Sequence, residues 1–229
     1  MKLTRVVPIL LAVSLASVPS IAQTPAQPSA LAVGTRLSIP NAKLPVDVLV
    51  QGPTEAPGDL QVICLFASVP DNKLLASLAT MDQQLGGLLA TVRTPALFRG
   101  DLGETMLLTP KPGVIAAKRL LIVGLGDRTT FNATREELVG EIVYAESERL
   151  GVATPTFAPT VIDGGFTGTD TGTIGAEFIT GFLRGRAVAA ALHTGNAGPA
   201  PAVTRLTFLA GAAHAVDTQK GMAGVLMAK

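Results

Sequence analysis

One cysteine, one tyrosine and no tryptophan occur in 229 residues, and charged side chains make up only 15%. A lone cysteine excludes an internal disulfide framework. Lys and Arg number 18 against 17 Asp and Glu, and only Lys118-Arg119 stand together. Binding to nucleic acid rests on neutralising phosphates, so no nucleic-acid partner is expected. Beyond the first twenty residues or so no apolar run is long enough to suggest a bilayer span, which excludes an array of membrane helices. Glycine (24) and proline (16) are too few for a collagen-like or low-complexity chain. What is present is core material. Hydrophobic residues reach 48% and mean hydropathy is +0.44, which excludes disorder along the whole length. The length suits one domain with a small appendage.

The N-terminus reads as an export signal. Lys2 and Arg5 precede an apolar run from Val6 to Val18, and Ser20-Ile21-Ala22 offers small residues for signal peptidase. Cleavage is expected after Ala22, leaving 16 basic against 17 acidic side chains and a periplasmic or secreted product. The alternative is a retained anchor helix, but the run is shorter than the ~20 residues of a spanning helix, so no stable membrane anchor is expected. Residues 23–43, rich in Pro, Ala, Ser and Thr, read as a flexible leader, and residues 44–229 as the folded domain.

Strands are expected at Val46–Val50, Leu60–Phe66, Gly103–Thr109, Arg119–Val123, Thr156–Ile162 and Val203–Leu209. Pro159 makes the fifth of these an edge candidate. A helix is expected from a cap at Asp71 or Asn72, carrying Leu74, Leu78, Met81 and Leu85, with Gly86-Gly87 as its stop. Leu88–Val92 reads as a short helix. Thr134-Arg135-Glu136-Glu137 has the form of a capping box, and Leu138, Ile142 and Ala145 then share one helical face. A helix over Ile174–Leu192 has Gly181 and Gly185 one turn apart, a smooth stripe suited to packing on a sheet. Ala215–Met227 is the last helix. The alternation implies a three-layer α/β domain with a mixed, mostly parallel sheet flanked by helices.

Chemistry is sparse. Cys64 lies in an apolar strand and reads as a buried core residue in preference to a reactive thiol. Glu136, Glu137, Glu141, Glu146 and Glu148 read as the solvated face of one helix. His193 and His214 stand apart with no zinc-type spacing, and no Gly-x-Ser-x-Gly elbow exists. Neither a metal nor another cofactor is expected. Two glycine-rich turns are the candidate ligand loops. Gly124 and Gly126 follow a strand but lack the third glycine of a dinucleotide fingerprint. Gly164, Gly165 and Gly168 precede a helix whose N-terminus suits an anion, although Asp163 and Asp170 would repel a phosphate. The alternative for these loops is a tight strand-to-helix turn. Arg99-Gly100-Asp101 is an adhesion tripeptide that recurs by chance.

Phe98-Arg99-Gly100-Asp101-Leu102-Gly103-Glu104-Thr105 resembles the F-x-G-x-x-G-E-T pattern of the N-terminal domain of the leucine aminopeptidase (cytosol aminopeptidase) family. Ala117 to Gly126 is similar to that domain's K-R-V-L-L-V-G-L-G strand and turn. Gly86-Gly87-Leu88-Leu89 and the helix from Glu177 to Arg186 fit more loosely. The resemblance covers roughly residues 46–228 and implies a macro-domain-like fold. In that family the catalytic residues, two metal ions and a motif of the type N-T-D-A-E-G-R lie in a second domain, and no such motif occurs here. The resemblance therefore implies a non-catalytic domain that serves in binding or assembly, with itself or with an envelope protein. The alternatives are a small-ligand module for ADP-ribose or a nucleotide, as in true macro domains, or the non-catalytic part of a split or truncated metallo-aminopeptidase.

Overall fold

The computed structural model describes residues 31–40, 44–67, 73–93 and 97–228. The expected signal, part of the leader and the cap candidates Asp71 and Asn72 lie outside the described residues.

Seven strands build one sheet among the described residues: β1 (Arg36–Ser38), β2 (Val46–Val50), β3 (Gln61–Leu65), β4 (Thr105–Leu108), β5 (Leu120–Gly124), β6 (Thr156–Ala158) and β7 (Leu206–Ala210). The helices are α1 (Ala76–Gln84), α2 (Leu88–Val92), α3 (Arg135–Arg149), α4 (Thr171–Thr194) and α5 (Ala215–Leu226). The strand order is β1-β2-β7-β6-β3-β5-β4, with five parallel inner strands and antiparallel edges. This is the three-layer mixed sheet that the alternation implies.

Strand side chains point alternately to the two faces, so a strand covered on both sides must be apolar throughout. β2, β3 and β5 are buried at every position. Val48, Val50, Val62, Cys64, Leu121 and Val123 join α3, α4 and α5 in one core layer. Leu49, Ile63, Leu65, Leu120 and Ile122 join α1 and α2 in the other. Phe157 stacks on Phe178 of α4 at a centroid distance of 3.9 Å, and Phe208 meets both edge-on. Each such side chain stabilises the fold by roughly 1.5–3 kcal/mol through burial.

Several local expectations are corrected. β1 lies within the stretch read as a leader. It is held on β2 by Asp47, a buried carboxylate that accepts from Arg36 (2.9 Å), Ser38 (2.6 Å) and Arg205 (2.7 Å). β6 is the central strand and not an edge, because its pairing ends at Ala158 and Pro159 removes no ladder N–H. Thr160 then replaces the missing bond. Its hydroxyl accepts from the Cys64 N–H (2.9 Å) and donates to the Cys64 carbonyl (2.7 Å). Helix α1 starts at Ala76, behind Leu75, with no capping side chain. The capping box does not form. Thr134 is helical in φ and ψ, its hydroxyl donates to Asn132, and Glu137 pairs with Arg184.

The buried face of α3 is also displaced from the expected one. It carries Glu136, Val139, Gly140, Val143, Tyr144 and Ser147, while Leu138 and Ala145 are exposed. The glycine stripe of α4 serves helix packing, not sheet packing. A Cβ on Gly181 would sit 1.8 Å from the Glu137 carbonyl oxygen, and one on Gly140 would sit 2.1 Å from that of Phe178. Gly185 faces Tyr144 in the same seam. On the opposite side of α4, Gly221 of α5 lies against the Gly172 carbonyl. α4 is thus clamped between two helices at backbone contact.

Candidate functional site

Strand β3 connects onward toward β5, whereas β6 connects through α4 to β7. Crossovers that diverge in this way open a crevice at the carboxyl ends of the strands. A cavity of about 360 Å³ lies at this carboxyl edge, on the β6 side of the divergence, reached by Val50, Ala158 and Ala210 at the ends of β2, β6 and β7. Ile174, Phe208 and Leu209 make its wall apolar. The turn after β6 forms one side. Thr160 enters that turn at φ +49°, a strained value for a β-branched residue, held by its two bonds to Cys64.

Three chemistry-bearing side chains line the same cavity: Ser77, Asp163 and His214. The Ser77 hydroxyl donates to Asp163 Oδ2. The His214 imidazole bonds to neither. A nucleophilic triad needs its serine on the imidazole, so this is a serine–aspartate pair and not a charge-relay geometry. The grouping was invisible in the sequence because the three residues come from α1, the β6–α4 loop and the end of the β7–α5 loop.

In a parallel α/β sheet the helix N-termini gather at this edge and favour anions. Here each already has a carboxylate. Asp163 receives Ser77 in the first turn of α1. Asp170 caps α4, accepting from the Thr173 N–H (2.8 Å) and hydroxyl (2.6 Å). Those bonds, the hydroxyl's foremost, hold the Asp170 carboxyl below its usual range. Asp217 lies in the first turn of α5. No Lys or Arg occurs among the described lining residues.

None of the five glycines proposed from the sequence lines the cavity. Gly124 lets its strand cross the Gly100–Asp101 backbone, where a Cβ would lie 2.0 Å from the Asp101 carbonyl oxygen. Gly126, at φ +73°, packs beside Leu102 and Arg135. Gly164 rests on the Phe66 ring, and Gly168 on that of Phe166. Gly165, at φ +87°, faces Arg128, which donates to the Gly164 carbonyl (3.4 Å). These are tight-turn and packing positions. His193 is exposed at the end of α4.

The acids have structural work. Glu104 accepts from the backbone N–H groups of Arg99 (3.0 Å), Gly100 (2.8 Å) and Asp101 (3.1 Å) through one oxygen, which fixes the Phe98–Thr105 turn. Arg99 and Asp101 pair with each other at 2.7 Å. Arg184 bridges Glu137 and Glu141, and Glu148 holds the N–H groups of Ala202 and Val203 before β7. Glu136 is wholly buried with both carboxylate oxygens unpartnered, and burial raises its pKa to about 8. Burial likewise pushes the Cys64 thiol well above its ordinary value, with the Glu136 charge adding to the effect. Among the described residues no three His, Cys, Asp or Glu side chains gather where a metal ion could sit. No helix among them is long and apolar enough to cross a membrane.

The sheet order and the cleft define an α/β domain of the macrodomain type. Solved neighbours share that fold. A tomato leucine aminopeptidase mutant superposes with a TM-score of 0.55 at 18% identity, over 79% of this chain and 35% of that one. A Trypanosoma brucei macrodomain solved in complex with ADP-ribose gives 0.53 at 13% identity, over 78% and 68%. Residues 62–168 match the model of the cytosol aminopeptidase family, N-terminal domain. A probable cytosol aminopeptidase of Thermosynechococcus vestitus is 36% identical over 111 residues. This stretch is similar to the N-terminal domain of that family, and the part matched to the T. vestitus relative spans 22% of that relative's length.

Proposed function

We propose that this is an exported, non-hydrolytic domain that works by binding a small ligand in the cleft at the carboxyl ends of β2, β6 and β7. The cavity carries this reading. Its volume of about 360 Å³ falls within the range of roughly 300–1,000 Å³ typical of ligand pockets, and its wall is apolar with a few polar groups. The T. brucei neighbour holds ADP-ribose, but the carboxylates at three helix N-termini argue against a diphosphate here. The reading is tested by ligand-observed NMR with a fragment library, run on the chain and on Ala212→Trp, which adds a bulky side chain to the cavity lining. Expected are hits that compete with one another and vanish in the variant. Hits that persist in the variant, or none at all, refute the reading. The export part rests on residues 1–22 and predicts Gln23 at the N-terminus of the mature protein by mass spectrometry. Met1 as the dominant N-terminus would reject it.

Assembly is a second reading, favoured by one observation. Val188 and Leu192 lie one turn apart on the outer half of α4 and are 56% and 48% exposed. Light scattering decides it. A dimer that Leu192→Lys makes monomeric supports assembly through this helix, and a monomeric parent chain opposes it.

A further inference from the structure

We propose that the cleft is selective for a small amine, a primary ammonium on an apolar body, and rejects anions; this rests on the ligand-binding reading above. Asp163 is the only acid, and with no Lys or Arg beside it the only fixed charge, among the described lining residues. Its Oδ2 is taken by Ser77, while Oδ1 accepts from no described group of the chain. Asp163 is half-buried at the edge of an apolar wall that includes Val50, Ile174, Phe208 and Leu209. A half-buried carboxylate with a spare oxygen wants a charged donor, because a charge-assisted bond in a shielded site is stronger than one to water or to a neutral group.

The alternatives fit less well. A phosphate or carboxylate ligand would meet Asp163 with no cation among the described lining residues to offset it. The helix ends that could have received it hold Asp170 and Asp217. A wholly apolar ligand would strip water from Asp163 and return nothing. An ammonium replaces that water with a bond and buries its body on the wall. A cavity of about 360 Å³ has room for an arylalkyl amine.

The test uses 2-phenylethylamine, its neutral analogue 2-phenylethanol, 3-phenylpropionate and ADP-ribose, titrated into the mature chain by ligand-observed NMR. The amine is expected to bind about tenfold or more tighter than the alcohol. The carboxylate and ADP-ribose should be weakest. Asp163→Asn should bring the amine down to the level of the alcohol. Ser77→Ala removes the competing donor and leaves the carboxylate, so amine binding should persist or tighten. Thermal melting of both variants accompanies the titrations. Equal loss in both would mean that the pair only shapes the loop, and would overturn the proposal. Equal binding of amine and alcohol to the parent chain overturns the ligand class and leaves the cleft reading standing. Tighter binding of ADP-ribose than of the amine overturns the class in the opposite direction. No binding of any probe, with no hits in the fragment screen, overturns both.

Discussion

A carboxyl group shut away from water without a partner keeps its proton to higher pH, because the charged form loses solvation that nothing replaces. Glu136 is in that position, with a folded pKa of about 8 against 4.5 in the open chain. Between those values the folded chain binds the extra proton. Its favourable contribution is full below pH 4.5 and is lost as pH rises toward 8, by an amount on the order of 4 kcal/mol. Urea midpoints should therefore fall from pH 5 to pH 8, and Glu136→Gln should flatten that slope. An unchanged slope in the variant would sink the assignment. Asp47 acts with the opposite sign. Burial raises its pKa, but the bonds from Ser38, Arg36 and Arg205 together bring it below 3.8. Its contribution is present above that value and is lost as pH falls through the lower, folded one. Asp47→Asn should remove part of the acid limb below pH 4 and leave the Glu136 slope intact, in the same titration.

At the scale of elements, backbone contact sets the tolerance to a single methyl group. Gly181→Ala would drive a Cβ into the Glu137 carbonyl, so α3 and α4 must separate, at a cost of about 2 kcal/mol or more. Gly86→Ala, at φ +68° with open space around it, bears only the left-handed strain of about 1–2 kcal/mol. Thermal melts of the two variants should rank in that order, and the reverse order would refute the seam. The existence of most elements was legible in the sequence because continuous apolar runs such as Val62–Leu65 and Leu120–Val123 have few alternatives. The facing of α3 was not. Leu138, Ile142 and Ala145 share a helical stripe, but Val139, Gly140, Val143 and Tyr144 share another. Only the close approach of α4 at Gly140 decides between them, and that is a tertiary fact. Glu136 lies four residues before Gly140, so it is carried inward with the winning stripe. β6 was misplaced for a similar reason. A proline marks an edge only if it lies within the pairing, and pairing that stops at Ala158 cannot be read from composition.

Across the whole molecule, the sequence located the glycine-rich turns but not the cleft. Glycines report where backbones come close, and here they do so for packing against Phe66, Arg128 and the Gly100–Asp101 turn. The cavity is made instead by residues of ordinary type brought together by strand order, which no local signal encodes. The same global view bears on metal chemistry. A two-metal hydrolase needs several carboxylates free to converge on one point. Glu104, Glu137, Glu141, Glu148, Asp47 and Asp170 are each committed to a backbone N–H, a hydroxyl or an arginine, and Glu136 is shut in the core. Recruiting any of them to a metal would break a bond that holds an element in place. Added Zn²⁺ or Mn²⁺ at millimolar concentration should leave the melting temperature of the chain unchanged, since a ligand that stabilises must bind the folded state. The same samples should not hydrolyse leucine amide. A metal-dependent rise in melting temperature, with turnover that follows the chain through successive columns, would show that other residues complete a metal site.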